Sequence, residues 1–350
     1  MVDVIVLGLD ALDSDFLKKY LDYGILPSFE RYTRESHLAV KPINSFHTDN
    51  LSMPMTIQAW TCIYTGMKKD HHGAGEDEWR KNKVDFAENV PSTIFDDVSE
   101  SGLLCHSFRM PMTWPARDIR GWMISGFPSG QDKDIADSEV WGIEPTRLPS
   151  DYGSVQDRWV SENTDGIRPY LQAEDRKFEI ATNLVRDTTE PDVLFWGTQL
   201  LDKIGHELTS WKKEQETDIS EHEHMRMAYG KIDELLQSFI EVYEPTCVIG
   251  ISDHGFDRTY GGHSMRATVF EWIDPSASSE RAGEHFDDVT SIIDFRSYFC
   301  KRLGIKRRAE IERYVGSRDN VDSVSEAERE HARKKLQELG YIEKSDTHNI

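Results

Sequence analysis

The chain has 350 residues, of which 63 are Asp or Glu and 41 are Lys or Arg, giving a formal net charge of −22. An acidic excess of this size excludes a broad nucleic-acid-binding surface, which needs clustered cations. With 38% hydrophobic and 30% charged residues the chain is polar but globular in composition, and acid spread along its whole length is the pattern expected of a protein in a salty cytoplasm.

In chain order, residues 2–9 form an apolar run with no basic segment before it and no cleavage site within it. It reads as a first strand, not a signal peptide. Helical periodicity follows over 15–23 and 56–65, then over 92–101. Short apolar runs at 103–108 and 122–125 predict two further strands. A helix is expected over 176–186, a strand over 193–197, a long helix over 219–243 and a strand over 247–252. Strands alternating with helices predict an α/β fold with a largely parallel sheet, and in such sheets ligands sit beyond the carboxyl ends of the strands. Residues 74–175, rich in Trp, Pro, Gly and charge, read in part as an inserted cap or lid. Ser325-Glu326-Ala327-Glu328 predicts a capping box opening a helix that stops at Gly340, so 306–350 reads as a helical tail. Cys62, Cys105, Cys247 and Cys300 fall at neither metal nor redox spacing and suggest no disulfide framework. No apolar stretch approaches the length of a membrane span, and a cytoplasmic protein is expected.

Four segments carry chemistry. Asp10 directly follows the first strand in Gly8-Leu9-Asp10-Ala11. Thr56 opens a helical pattern that leads to Thr65-Gly66 and His72-Gly73. Asp202-Lys203-Ile204-Gly205-His206 follows the 193–197 strand. Ser252-Asp253-His254-Gly255 follows the last strand, with His263 shortly after. Each has a plain alternative. An Asp after a strand often caps a helix, a Thr at a helix start does the same, and Asp202 and His206 at four residues apart could be a surface pair. Together, three carboxylates and three imidazoles suit Zn²⁺, or Mn²⁺, without the thiolates of a structural zinc site. Six ligands exceed what one tetrahedral ion needs, so two divalent ions are expected, an arrangement suited to phosphoryl transfer. A hydroxyl such as that of Thr56 becomes a nucleophile when a metal stabilises its alkoxide.

The order and content of these motifs resemble the type I phosphodiesterase and nucleotide pyrophosphatase family of the alkaline phosphatase superfamily. Gly8 to Asp13 is similar to the family's first metal motif. Thr56 to Gly66 resembles its nucleophile segment, with Gln58 in place of the more usual Pro. Asp202-x-x-Gly-His206 and Asp253-His254-Gly255 resemble its Asp-x-x-Gly-His and Asp-His-Gly elements, and His263 its last ligand. The resemblance spans roughly residues 1–300. It implies an alkaline-phosphatase-like three-layer catalytic domain over 1–305 that hydrolyses small phosphate esters through a phosphothreonine at Thr56. It further implies that Asp10, Thr56, Asp253 and His254 hold one metal, and Asp202, His206 and His263 the other. A phosphomonoesterase, or a transferase of phosphoryl or phosphoalcohol groups, is the alternative on the same residues, and a non-catalytic metal-binding relative is a third. Nucleotide pyrophosphatases of the family place an Asn on a phosphoryl oxygen where this chain reads Glu76-Asp77. Asp77, His72 and Arg109 are the expected substrate contacts. No Cys-x-Pro-x-Arg motif surrounds Thr56, which disfavours a sulfatase.

Overall fold

A computed structural model describes residues 2–45, 54–72, 92–114, 116–127, 140–142, 148, 166–210, 218–258, 262–276 and 285–307. The first strand, β1 (Val4–Leu9), is buried along its whole length. Its side chains alternate between two cores: Ile5, Leu7 and Leu9 enter one, Val4 and Val6 the other. That is why the run is continuously apolar, as strands covered on both faces are.

The helices α1 (Ser14–Asp22) and α2 (Pro27–Arg34) follow, then β2 (Leu38–Asn44), α3 (Thr56–Thr65) and a short turn of helix, α4 (Lys69–His72). Next come α5 (Ile94–Glu100), β3 (Cys105–Phe108), β4 (Gly121–Ile124) and β5 (Val140–Trp141). The second half supplies α6 (Arg168–Asp187), β6 (Val193–Thr198), α7 (Leu200–Ser210), α8 (Glu223–Tyr243), β7 (Cys247–Ile251), β8 (Gly255–Phe256), β9 (His263–Ser264), β10 (Arg266–Ile273) and α9 (Phe295–Leu303).

The central sheet has the order β2-β10-β7-β1-β6-β3-β4-β5. Strands β7, β1, β6, β3 and β4 run parallel. Strand β10 runs against β7 and β2, and β5 against β4. One face is covered by α1, α2, α6, α7 and α8, the other by α3, α5 and α9. This is the expected three-layer α/β sandwich.

The structure departs from the sequence reading at several elements. β2 and β10 add two strands on the side of β7. The helix expected over 176–186 begins earlier, at Arg168. The long helix expected from 219 is broken at His222, which caps α8 by accepting the His224 N–H on its ring nitrogen. Within the 74–175 region, by contrast, the helix and two strands expected over 92–101, 103–108 and 122–125 are present as α5, β3 and β4 of the main layers. Most of the rest of that region, Asp77 within it, lies outside the described residues, as do residues 308–350 of the expected tail.

Candidate active site

Three neighbouring strands deliver acidic residues at their carboxyl ends. Asp10 follows β1, Asp202 sits in the first turn of α7 after β6, and Asp253 follows β7. Because β7, β1 and β6 are adjacent in the sheet, residues far apart in sequence arrive in one place. Asp10, Asp202, Asp253 and His254 are all fully or almost fully buried. The Nε2 of His254 lies 3.4 Å from Asp10 Oδ1 and 3.3 Å from Asp253 Oδ2. Asp202 Oδ1 lies 3.3 Å from His206 Nε2, one helical turn along α7, and 3.4 Å from His263 Nε2. The carboxylate and imidazole atoms of Asp10, Asp253 and His254 form one tight cluster, and those of Asp202, His254 and His263 form another, so His254 stands between the two.

Thr56 is the first residue of α3 and does not cap it. Met55 holds the cap position and contributes no side-chain hydrogen bond. The Thr56 side chain instead turns to the cluster, with Oγ1 3.1 Å from His254 Nε2. A helix amino terminus favours a bound anion beside this hydroxyl.

Backbone carbonyls fix the imidazole tautomers. A carbonyl oxygen only accepts, so His254 Nδ1–H donates to Gly255 O at 3.0 Å and His263 Nδ1–H to Pro54 O at 2.8 Å. In the neutral ring each Nε2 then turns a lone pair into the cluster. The two rings stack with centroids 3.7 Å apart. His206 Nε2 lies 3.1 Å from His263 Nε2, so two imidazole nitrogens face each other across a gap that needs a proton or a cation.

The electrostatics are those of a site short of positive charge. Burial first, and then the charges of Asp253 and Asp202, push the Asp10 carboxyl well above the usual carboxylate range. Burial followed by the Asp202 charge does the same to Asp253. Burial also works upward on Asp202, but His206 and His263 beside it hold it well below the usual range. His254 is kept neutral, its pKa driven far down by burial and then by His263. Oδ1 of Asp10 and Oδ2 of Asp253 are buried without a hydrogen-bond donor among the described residues. Buried acceptors of this kind need compensation. An oxygen and nitrogen donor set with no sulfur fits divalent cations of borderline hardness. The residues present therefore fit such ions.

The other expected contacts are placed as follows. His72, at the end of α4, is buried with its Nε2 3.3 Å from Cys62 Sγ, on the flank of α3. Arg109 directly follows β3, buried and in the left-handed backbone region at φ +56°, a conformation that commonly marks functional turns.

Sequence reasoning missed the supporting shell. Gln199 Nε2 donates to Asp10 Oδ2 at 3.1 Å, and the Ala11 N–H to Asp253 Oδ1 at 3.3 Å. Ser45 Oγ donates to the Asp253 carbonyl. Only the position of Gln199, immediately after a strand, could have signalled it.

With this geometry in view, the profile of the type I phosphodiesterase / nucleotide pyrophosphatase family matches residues 4–347. No curated protein matches the chain. Among solved structures, the fold is similar to an alkaline phosphatase from the Antarctic bacterium TAB5, at 11% identity and a TM-score of 0.50, over 87% of this chain and 98% of that one. It is similar to a 2-O GAG sulfatase at 13% identity and a TM-score of 0.52, over 88% of this chain and 72% of that one. A phosphonoacetate hydrolase from Sinorhizobium meliloti 1021 is 19% identical with a TM-score of 0.47 over 73% of this chain, which spans only 56% of that enzyme's length. At these identities the likeness concerns the fold.

Proposed function

The chain belongs to the type I phosphodiesterase and nucleotide pyrophosphatase family, and from that premise we propose that it is a metal-dependent hydrolase of phosphate diesters or pyrophosphates with Thr56 as nucleophile. The observation that carries this reading is the approach of the Thr56 hydroxyl to the buried His254 beside Asp10 and Asp253. In this reading Asp10, Thr56, Asp253 and His254 hold one divalent cation, and Asp202, His206 and His263 a second, with Zn²⁺ favoured and Mn²⁺ next. Two bound cations lower the proton affinity of the Thr56 hydroxyl and offset negative charge on the phosphoryl oxygens.

The chain's own residues do the rest. Gln199 and the Ala11 N–H orient the two carboxylates of the first group. Gly255 O and Pro54 O hold the His254 and His263 rings in the tautomers that face the cluster. Thr56 releases its hydroxyl proton to solvent as Oγ1 forms a bond to phosphorus and the bond to the leaving alcohol or phosphate breaks, and the leaving oxygen takes a proton from solvent, so the step is proton-neutral. Water then cleaves the phosphothreonine and regenerates the hydroxyl. The amino terminus of α3 stabilises the anion throughout.

Thr56→Ala tests this assignment. With Zn²⁺ or Mn²⁺ supplied, hydrolysis of bis-p-nitrophenyl phosphate is expected to fall by about 10³-fold or more while bound metal persists. A variant that keeps its turnover would remove Thr56 from the mechanism. Wild type that cleaves p-nitrophenyl phosphate faster than the diester would move the reading to a monoesterase on the same residues.

A further inference from the structure

A buried carboxylate that plays no direct part in the proposed chemistry lies three residues beyond Asp10. Asp13 is fully buried and binds on both of its oxygens. Oδ1 caps α1, accepting the N–H groups of Asp15 at 2.9 Å and Phe16 at 3.2 Å. Oδ2 gathers three donors from the other end of the chain: Phe256 N–H at 3.1 Å, Ser264 Oγ at 3.1 Å and Arg266 Nε at 3.3 Å. Those residues belong to β8, β9 and the start of β10. The Asp13 backbone is anchored as well, its N–H donating to Tyr229 Oη of α8 at 3.0 Å.

The ribbon held in this way carries a candidate ligand. Strands β8 and β9 have two residues each, pairing Gly255 with Ser264 and Phe256 with His263. A two-stranded ribbon of that length does not hold its own geometry. Gly255 is fitted to the clamp, because a Cβ there would lie 2.1 Å from both Asp13 Oδ2 and the Arg266 carbonyl. His254 precedes the ribbon and is placed by the end of β7. His263 lies within the ribbon. Pro54 O orients the His263 ring, while Asp13 bonds its strand partner Phe256 and its chain neighbour Ser264, alongside the Asp257 N–H to Gly262 O bond at 2.7 Å and the Ser45 N–H to Met265 O bond at 2.9 Å.

We propose that Asp13 is a positioning residue for the His263 side of the site, joining the loop of Asp10 to the β8–β9 ribbon so that Asp202, His206 and His263 meet one divalent cation. The inference rests on the metal-dependent reading above and assigns to Asp13 a part that reading does not contain. Its chemistry allows a selective test. In Asp13→Asn the remaining carbonyl oxygen can still cap α1, since Asn caps as well as Asp. The new amide nitrogen, however, faces the Phe256 N–H and the Arg266 guanidinium, neither of which can accept a hydrogen bond.

The experiment is a Zn²⁺ titration of the full chain, stripped with a chelator, followed by competition with a chromogenic chelator. Wild type is expected to bind in two steps. In Asp13→Asn one step is expected to keep its affinity and the other to weaken by about 10–100-fold, as when an outer-shell partner of a metal ligand is lost. Ser264→Ala, which keeps the carboxylate and removes one donor, is expected to weaken the same step to a smaller degree. Two unchanged steps in Asp13→Asn, or equal weakening of both, would overturn the proposal, since a purely structural role has no reason to favour one site. If Asp13→Asn does not fold, Ser264→Ala and Arg266→Gln decide, and two unchanged steps in both variants overturn it. Wild type that binds no Zn²⁺ would instead overturn the metal-dependent reading on which the proposal stands.

Discussion

Arg296 reaches from α9 to the far end of the helix that begins with Thr56. It is almost fully buried and meets Asp97 of α5 through two bonds, Nε to Oδ2 at 2.6 Å and Nη2 to Oδ1 at 2.7 Å. Its Nη1 also donates to Thr65 O at 3.0 Å, where α3 ends, and to Ser92 O at 2.8 Å. The guanidinium is thus satisfied on two sides by groups that have little water to turn to. Replacing it with an apolar residue strands a buried carboxylate and leaves carbonyls short of donors. Arg296→Leu is therefore expected to lower the unfolding free energy by about 3–5 kcal/mol in a urea titration. Adding Asp97→Leu should recover part of that loss, because the pair has to leave water to form and an apolar pair does not. A single variant within about 1 kcal/mol of wild type would mean that the pair contributes no more than an exposed one.

At the scale of elements, α2 lacks a cap of its own. Leu26 stands at its cap position, makes no side-chain hydrogen bond, and precedes Pro27. The free N–H groups of its first turn are met from another helix: Asp233 of α8 accepts Ser28 N–H on Oδ2 at 3.1 Å and Phe29 N–H on Oδ1 at 2.8 Å. One carboxylate thus caps α2 and binds two elements about two hundred residues apart. Asp233→Ala is expected to cost about 1–2 kcal/mol of stability, as for a lost local cap, with turnover per folded molecule unchanged. Asp233→Asn should fall between, because its single acceptor oxygen can serve only one of the two donors. Equal stability in all three proteins would show the cap to be idle. Such partnerships mark the limit of what the sequence discloses. Strands β1, β6 and β7 are legible because parallel strands covered on both faces must be apolar throughout, and Asp10, Asp202 and Asp253 are legible because they follow those strands directly. Strand β10 is hidden by Glu271, a charge inside an apolar run, which the fold buries against Arg302 Nε at 2.8 Å. Strand β2 is hidden by Lys41 and Pro42, which an edge position tolerates. Helix α7 is masked by Gly205, a poor helix former, which is there because Phe256 packs where a Cβ would go. Asp233 falls inside the helix expected over 219–243 and Asp13 just ahead of the one expected over 15–23, and the partners of both lie too far along the chain for any spacing rule to reach.

For the whole molecule the dominant quantity is the net charge of −22. No helix among the described residues is long and apolar enough to cross a membrane, so no described span draws on that charge for orientation. Acidic side chains outnumber basic ones by 63 to 41, so ion pairing leaves a large uncompensated negative field. That field opposes compaction, since folding brings the charges closer together than they stand in the extended chain. Salt reduces the repulsion by shortening the screening length from about 10 Å at 0.1 M to about 3 Å at 1 M. It also weakens exposed ion pairs, but there are too few cations for that loss to win. The thermal unfolding midpoint is therefore expected to rise with KCl, by about 2 °C for each kcal/mol gained in a chain of this size. The shape of the curve identifies the cause. Screening acts mostly at low concentration, because its length falls with the square root of ionic strength, so most of the rise should be complete by about 0.5 M. A rise that stays linear to high concentration would point to exclusion of salt from the protein surface. A midpoint that does not move, or falls, would mean that local ion pairs outweigh the net field and that the acidic composition is not an adaptation to salt.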